Sequence, residues 1–410
     1  MSNPRIWTAA ECSTTWLTGF PLGAIPSALE SQARVVTRGA EVGLEVGGVI
    51  GAVSLLNGDT LHIVPKVGPT NFFRMLLTAE GLGNRMSRDF EGFATWGSDD
   101  SLDSVPNLLA RKFLDELALV DADGPRFGRT SERTNRESAS GKILLRQTVR
   151  RLRLRSPTPF VCDRNIRDFD IAENRVLASA AWVAAGLVSE RGRLEPWQSS
   201  LAFKWRKAYH RPDMLASDLA HTAIGLANGA YGGPRGRYVH ALTLARLILG
   251  QAGLSQEGRT RVMGDALLLN SASLFEDYVR AVLTQACAPL GLTVSKGGSP
   301  VQFLYDDGSF GLVPDIRISR GLATLVLGDA KYKDPDAGDH YQMATYMRAY
   351  SVPTAFLLCP DYGDDAREPM LRRRTADGRT VVEVRLPLRD LDAAETLLGD
   401  LHRTLPFPTT

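Results

Sequence analysis

Two acids and a lysine carry the clearest chemical signal in this 410-residue chain. Asp315 follows Pro314 inside an apolar run from Gly311 to Ile318, and Asp329 stands just past a second run, Thr324 to Leu327, ahead of Ala330 and Lys331. Ser319-Arg320-Gly321 separates the runs, which makes the pattern strand, turn, strand. Such a hairpin sets the two carboxylates side by side, with the lysine two residues beyond the second. Hard oxygen ligands of this kind suit Mg2+, which keeps several waters in an octahedral shell and leaves one free to attack. The Ala330 carbonyl is a further candidate ligand. The Lys331 ammonium, beside the metal rather than bound to it, would orient the attacking water and stabilise charge developing on a phosphate, while the metal lowers the pKa of the water. The expected chemistry is hydrolysis of a phosphodiester.

The flanking elements are those needed to hold such a hairpin. From Ser273 a helical pattern places Phe275, Tyr278, Val279, Val282 and Leu283 on one face, with Glu276 on its flank. Taken alone, Glu276 pairs with Arg280 four residues on, a weakly stabilising arrangement; with the two acids downstream it becomes a candidate site residue. A strand from Val301 to Tyr305 leads through Asp306-Asp307-Gly308 into the hairpin. Beyond it, Asp339 is expected to cap a helix on which Gln342 and Tyr346 share a face while Met343, Met347 and Tyr350 form an apolar stripe. Gln342 would then hydrogen-bond the attacking water or a phosphate. Thr354 to Leu358 reads as a buried strand, and the whole order predicts an α/β/α core.

Upstream, Arg34 to Val67 alternates short β-type runs with glycine, and Asn57-Gly58-Asp59 is a strong hairpin signal because Asn-Gly supplies positive φ angles. His62 is a lone strand histidine rather than a metal ligand. A helix begins near Asn71. A polar, acidic loop around Ser98-Asp99-Asp100 precedes a second helix, Leu108 to Val120, and the polar stretch Arg126 to Ser140 reads as a linker. Ser140-Gly141-Lys142 lacks the upstream glycine and the following Ser or Thr of a phosphate loop, so NTP binding is excluded there. Arg146, Arg150, Arg151, Arg153 and Arg155 either track phosphates or form a solvated face interleaved with core residues Val149, Leu152 and Leu154. Pro159 to Cys162 reads as a strand, Asp170 to Ala185 as a long helix, Ala241 to Leu249 as helical, and Asn228 to Gly236 as a surface loop.

The length exceeds what one core usually sustains, and we divide the chain into a β-rich N-terminal module with helices (1–135), a mainly helical middle region (136–261) and a catalytic domain (262–410). A net charge of +2 carries no global case for nucleic acid. Cys12, Cys162, Cys287 and Cys359 show neither zinc-site nor disulfide-rich spacing, which suits a reducing compartment. No segment is apolar and long enough to span a bilayer, so a cytoplasmic protein without membrane contact is expected.

Pro314-Asp315 with Asp329-Ala330-Lys331, followed by Gln342-x-x-x-Tyr346, resembles the signature of the PD-(D/E)XK nuclease superfamily. More narrowly, Leu61-His62-Ile63-Val64-Pro65-Lys66 with Phe73-Arg74-Met75-Leu76, then Asn174-Arg175-Val176-Leu177, then Leu274 to Val279 through Asp329-Ala330-Lys331-Tyr332-Lys333 and Tyr341-Gln342-Met343 resemble the McrC family, nuclease subunits of McrBC-type restriction systems. The resemblance implies an α/β fold with a restriction-endonuclease-like C-terminal core. It implies Mg2+-dependent cleavage of double-stranded DNA, modified or unmodified, with Asp315, Asp329 and Ala330 at the metal and Lys331, Glu276 and Gln342 in catalysis. It also implies docking of the N-terminal part onto a McrB-like AAA+ GTPase and stimulation of its NTP hydrolysis. Two other readings remain: an adaptor that activates the NTPase with an idle nuclease site, and a motor-independent repair nuclease.

Overall fold

The computed structural model describes residues 5–82 (22, 28 and 40 excepted), 105–189, 195–232, 236–251, 266–297, 301–363 and 368–401. The Ser98-Asp99-Asp100 loop and the start of the third region at Val262 lie outside these residues, as does the centre of the Asn228 to Gly236 loop. The chain folds into two compact units: residues 1–108 share one with 264–410, and 109–263 form the other. The N-terminal module and the segment carrying the two acids therefore belong to one unit.

The N-terminal module consists of β1 (Ile6–Ala10), β2 (Ser13–Trp16), β3 (Ala33–Arg38), β4 (Glu41–Val46), β5 (Val49–Ser54) and β6 (Thr60–Val64). Buried residues of these strands and of the segment between β2 and β3 build one apolar cluster, including Trp7, Phe20, Leu29, Leu44, Val53, Leu61 and Ile63. The Asn57-Gly58-Asp59 turn joins β5 to β6, with Gly58 at φ +87°. Its acid also anchors the chain start, because Asp59 accepts hydrogen bonds from the Arg5 N–H at 2.8 Å and the Trp7 indole at 3.0 Å. Next come α1 (Pro69–Ala79), which opens on proline and buries Phe72, Phe73, Met75, Leu76 and Leu77, and α2 (Val105–Asp123).

The second unit contains β7 (Gly128–Arg136), β8 (Lys142–Ile143), α3 (Leu145–Arg153), β9 (Phe160–Asp168), α4 (Ala172–Ser189), α5 (Pro196–Tyr209), α6 (Leu215–Ala227) and α7 (Arg237–Gln251). Here the polar stretch expected to be a linker is a nine-residue strand paired along its length with β9. It lacks an alternating apolar face, so the usual strand signal is missing. Its cohesion comes from the ladder and from cross-strand pairs such as Arg133 with Asp163 at 3.0 Å. Helix α3 also departs from expectation, since Val149, Leu152 and Leu154 are 44%, 50% and 72% exposed rather than core. In α4, Asn174 donates to the carbonyls of Arg126 and Phe169, both at 2.8 Å, and accepts from the Tyr238 hydroxyl at 2.8 Å. Its neighbour Arg175 grips the buried Asp218 with two parallel 2.8 Å bonds. The Asn174-Arg175 motif thus staples this unit together.

The first unit resumes with β10 (Ala266–Asn270), which adds antiparallel to β5 and completes the sheet order β1-β6-β5-β10. Asn270 then caps α8 (Ser271–Cys287) by accepting from the Ser273 N–H at 2.9 Å. After β11 (Thr293–Ser295), β12 (Gln302–Phe303) and β13 (Gly311–Leu312) come β14 (Ile316–Arg320), β15 (Ala323–Ala330), α9 (Ala337–Ala349), β16 (Thr354–Asp361), β17 (Met370–Arg374), β18 (Thr380–Pro387) and α10 (Leu391–Asp400). The sheet order is β11-β14-β15-β16-β18-β17, with the parallel pairs β15–β16 and β16–β18 at its centre. Leu327, Ala355, Leu357 and Val381 face Met343 and Met347 of α9. Alternation sends their strand neighbours to the other side, where α8 packs on β15 and α10 on β18. The expected run from Gly311 to Ile318 is two strands, because Pro314 has no N–H to give to a ladder.

Breaking the Arg175 fork checks the role of the staple. Asp218→Ala leaves a largely buried guanidinium with the exposed Asp170 as its remaining partner among the described residues, and is expected to destabilise the second unit by about 3 kcal/mol, read as a lower urea midpoint.

Candidate active site

Ile316 stands opposite Gly328 in the β14–β15 ladder, and Asp315, just ahead of β14, comes within hydrogen-bond reach of Asp329 on β15. Close approach of the strands is aided at Gly328, where a Cβ would come within 3.1 Å of Ile316. Asp315 Oδ2 accepts the Ala330 N–H at 3.1 Å. In an extended strand the N–H and C=O of one residue point to the same edge, so the Ala330 carbonyl also faces the Asp315 side. Asp329 is 2% exposed. Burial, then the nearby charge of Asp315, push its carboxyl up to about 7, against the opposing pull of Lys331.

Alternation along β15 puts Lys331 on the same face as Asp329, and its Nζ lies 2.7 Å from Asp329 Oδ2. The same ammonium donates to Gln342 Oε1 at 3.2 Å and stands 3.8 Å from Asp339 Oδ1. Burial works to lower its pKa, but Asp329, Asp339 and Asp315 together hold it above the ordinary lysine value. Gln342 in turn donates to the Tyr346 hydroxyl at 2.8 Å, and that hydroxyl donates to the Val313 carbonyl at 3.4 Å. Helix α9 thereby ties its site face to the backbone just ahead of Pro314-Asp315. The helix cap is not Asp339 as expected but Asp336: its side chain accepts from the Asp339 N–H at 3.1 Å, and Asp339 answers from the third position by accepting the Asp336 N–H at 2.9 Å. The reciprocal cap points Asp339 at Lys331, a neighbour that sequence spacing alone did not assign.

On the other side, Glu276 of α8 does not pair with Arg280. It accepts from Lys296 at 3.2 Å, while Arg280 binds Asp277 at 2.6 Å and donates to the Asp315 carbonyl at 3.2 Å. Burial and then the charge of Asp315 raise the Glu276 carboxyl, and Lys296 and Arg280 oppose them. Lys296 carried no sequence signal, and Arg280 was read only as a helical partner of Glu276; folding brings both to the site. Gly297 fits the Lys296 segment against the site, since its N–H donates to the Pro314 carbonyl at 2.7 Å and a Cβ there would lie 2.3 Å from Pro314 Cδ. The five side chains and the Ala330 carbonyl singled out from sequence thus come together around one end of the β14–β15 hairpin.

Among the described residues no group of three or more His, Cys, Asp or Glu side chains is arranged to hold a metal ion. The donor set fits Mg2+ nonetheless, because that ion is commonly held by one or two carboxylates with water completing its shell. Asp315 and Asp329 provide the carboxylates, and the Ala330 carbonyl provides a neutral oxygen on the same edge. Their mutual repulsion, expressed in the raised Asp329 carboxyl, is what a cation relieves.

The raised carboxyl also has a consequence for stability. The folded chain holds the Asp329 proton more tightly than the unfolded chain does, so stability of the metal-free protein declines as pH rises from the ordinary carboxylate value to about 7. Asp329→Asn removes that penalty. It is expected to raise Tm at pH near 8 by about 2 °C or more, with the gain vanishing towards pH about 4; calorimetric scans across this range check it. For the Gly297 contact, Gly297→Ala is expected to destabilise the unit by about 1–3 kcal/mol through overpacking against Pro314, read by urea denaturation.

With this geometry in view, a family model for the McrBC 5-methylcytosine restriction system component matches residues 44–360. No curated protein matches the chain in sequence. Among solved structures, a chain of the half-complex from the tetradecameric assembly of Thermococcus gammatolerans McrB AAA+ hexamers with bound McrC is similar over 98% of this chain and 100% of its own, at 13% identity and TM-score 0.62. A chain of the Thermococcus gammatolerans McrBC complex aligns with 68% of this chain and 88% of its own, at 16% identity and TM-score 0.47. At such identity the first of these speaks for the fold. The family match spans most of the sequence, from the N-terminal strands through the Asp315–Lys331 hairpin to β16, and the chain belongs to the McrBC 5-methylcytosine restriction system component family.

Proposed function

We propose that this chain is the Mg2+-dependent DNA endonuclease subunit of a McrBC-like restriction system. Its C-terminal α/β/α layer acts as a PD-(D/E)XK nuclease, cutting phosphodiester bonds in double-stranded DNA translocated by a McrB-like AAA+ GTPase whose NTP hydrolysis it stimulates. The observation that carries the reading is the close approach of Asp315 to Asp329 beside the Lys331 ammonium, itself held by Gln342. Family membership supports the system, and the similar fold of a protein solved in an assembly of McrB AAA+ hexamers with McrC supports the partner.

Bound Mg2+ would supply a water of lowered pKa and offset charge on the phosphate. The chain's own groups do the rest. Asp315, Asp329 and the Ala330 carbonyl would hold the ion. The Lys331 ammonium would face the attacking water and the oxygens of the phosphate, where a fixed cation in a sheltered site is worth far more than in bulk water. Gln342 fixes the direction of that ammonium and presents its amide to water or phosphate. Glu276 borders Asp315 and holds a proton more readily than an exposed glutamate, which suits it to receive one from the attacking water.

The test uses the full chain with and without a candidate motor protein, in Mg2+ and nucleotide, on methylated and unmodified DNA. Asp329→Ala is expected to abolish cleavage, and Lys331→Ala to lower its rate by about 10²–10³-fold, with partner binding and NTPase stimulation retained in both. Cleavage by Asp329→Ala at the wild-type rate would remove the site from the mechanism. Wild-type cutting that needs no motor would point to a free-standing nuclease, and stimulation without any cutting to an adaptor.

A further inference from the structure

Glu11 is fully buried just past the end of β1, where no catalytic step requires an acid. Its Oε1 accepts two hydrogen bonds, from the Lys66 backbone N–H at 2.9 Å and from the Tyr332 hydroxyl at 2.9 Å. Its own N–H donates to the Val64 carbonyl at 3.1 Å, so the acid is fixed to the end of β6 from both backbone and side chain. Oε2 is buried beside the Ser271 hydroxyl, without an aligned hydrogen bond among the described residues. A buried carboxylate carries a large desolvation cost, and replacing such a polar pair by apolar groups of similar volume is often neutral or stabilising. Stability alone therefore gives little reason for a glutamate here.

Tyr332 follows Lys331 directly and is the buried residue of the segment 331–336 that joins β15 to α9. It meets Phe275 of α8, whereas Lys331 meets Gln342 of α9. Its ring packs at 5.6 Å from Phe275, the residue before Glu276, and edge-on at 6.4 Å from Tyr362. One side chain thus stands next to Lys331 along the chain and against the residue before Glu276 through space; its hydroxyl meets Tyr362 and reaches back 321 residues to Glu11 beside the N-terminal sheet.

We propose that Glu11 and Tyr332 are positioning residues for the site: their hydrogen bond ties the end of the lysine-bearing strand to the N-terminal sheet and sets where the Lys331 ammonium stands. The proposal rests on the nuclease reading above for its catalytic consequence. Beyond Ala330 the chain leaves the sheet, and the bond from the Lys331 N–H to the Leu358 carbonyl at 2.8 Å fixes one point only. The Tyr332 anchor supplies the second. A misplacement of about 1 Å in a reacting group is enough to lower a rate by about 10²-fold.

The experiment compares Glu11→Ala, Glu11→Gln, Tyr332→Phe and the double variant Glu11→Ala/Tyr332→Phe, each in the full chain with its motor partner. Tyr332→Phe and Glu11→Ala are expected to lower kcat for DNA cleavage by about 10-fold with KM unchanged. Glu11→Gln, whose amide oxygen can accept the same two hydrogens, should restore most of the rate. The double variant should be no slower than the slower single one, because both changes break the Glu11–Tyr332 bond. A second readout needs no cleavage: acetylation of Lys331 by acetic anhydride, followed by mass spectrometry, should rise several-fold in both single variants while Lys333 is unchanged. Wild-type kcat with wild-type Lys331 labelling in Tyr332→Phe overturns the proposal, as do losses that multiply in the double variant. If wild type and Asp329→Ala cut alike, the nuclease reading fails by itself, and the labelling still decides the joint.

Discussion

Two carboxylates at one end of a largely buried hairpin repel each other, and the surrounding structure is arranged to offset that repulsion. Asp329 lies almost wholly out of water, so the usual screening is weak and its carboxyl is held near neutrality. Lys331 supplies the nearest countercharge, Gln342 and Asp339 hold Lys331, and the reciprocal cap of α9 holds Asp339. On the far side Arg280 and Lys296 bring positive charge to the Asp315 carbonyl and to Glu276. The cluster is a strained electrostatic arrangement in which every member is oriented by a neighbour from a different element. Such clusters are common where a group is kept for its reactivity rather than for what it adds to stability.

The unit that bears this cluster is discontinuous in sequence, and that bears on how the site is kept in shape. Strand β10 completes the N-terminal sheet and runs straight into α8, so the helix that carries Glu276 starts from a strand of that sheet. Helix α1 packs on α8, and its Arg74 reaches Asp392 at 2.5 Å and Glu395 at 3.1 Å in α10. The N-terminal module is therefore a structural wall of the site-bearing unit. A reading in chain order, which cuts the sequence into successive domains, has no means of detecting such a return.

Much of the site was legible because its residues sit near one another in the chain or at fixed spacings. Pro314-Asp315 and Asp329-Ala330-Lys331 declare a hairpin with acids at one end, and the 3.6-residue period places Gln342 beside Tyr346. What could not be read has a physical origin in each case. Lys296 and Arg280 join the cluster through tertiary folding, and either could equally be a solvated surface charge. Asp336 and Asp339 differ only in which of them begins the helix, a matter of backbone angles. Strand β7 has polar residues throughout, so the periodic signal that reveals half-buried strands is absent. Helix α3 misleads in the opposite sense: its spacing is that of a packed amphipathic helix, yet its apolar residues lie exposed.

The central claim is that Asp315 and Asp329 together form the cation site. Calorimetric titration of Mg2+ into the purified chain, without DNA or partner, tests it most directly, with the wild type set against Asp315→Asn and Asp329→Asn. The account predicts one saturable site in the wild type, lost in both variants while their thermal unfolding remains cooperative. Unchanged Mg2+ binding in either variant would contradict it.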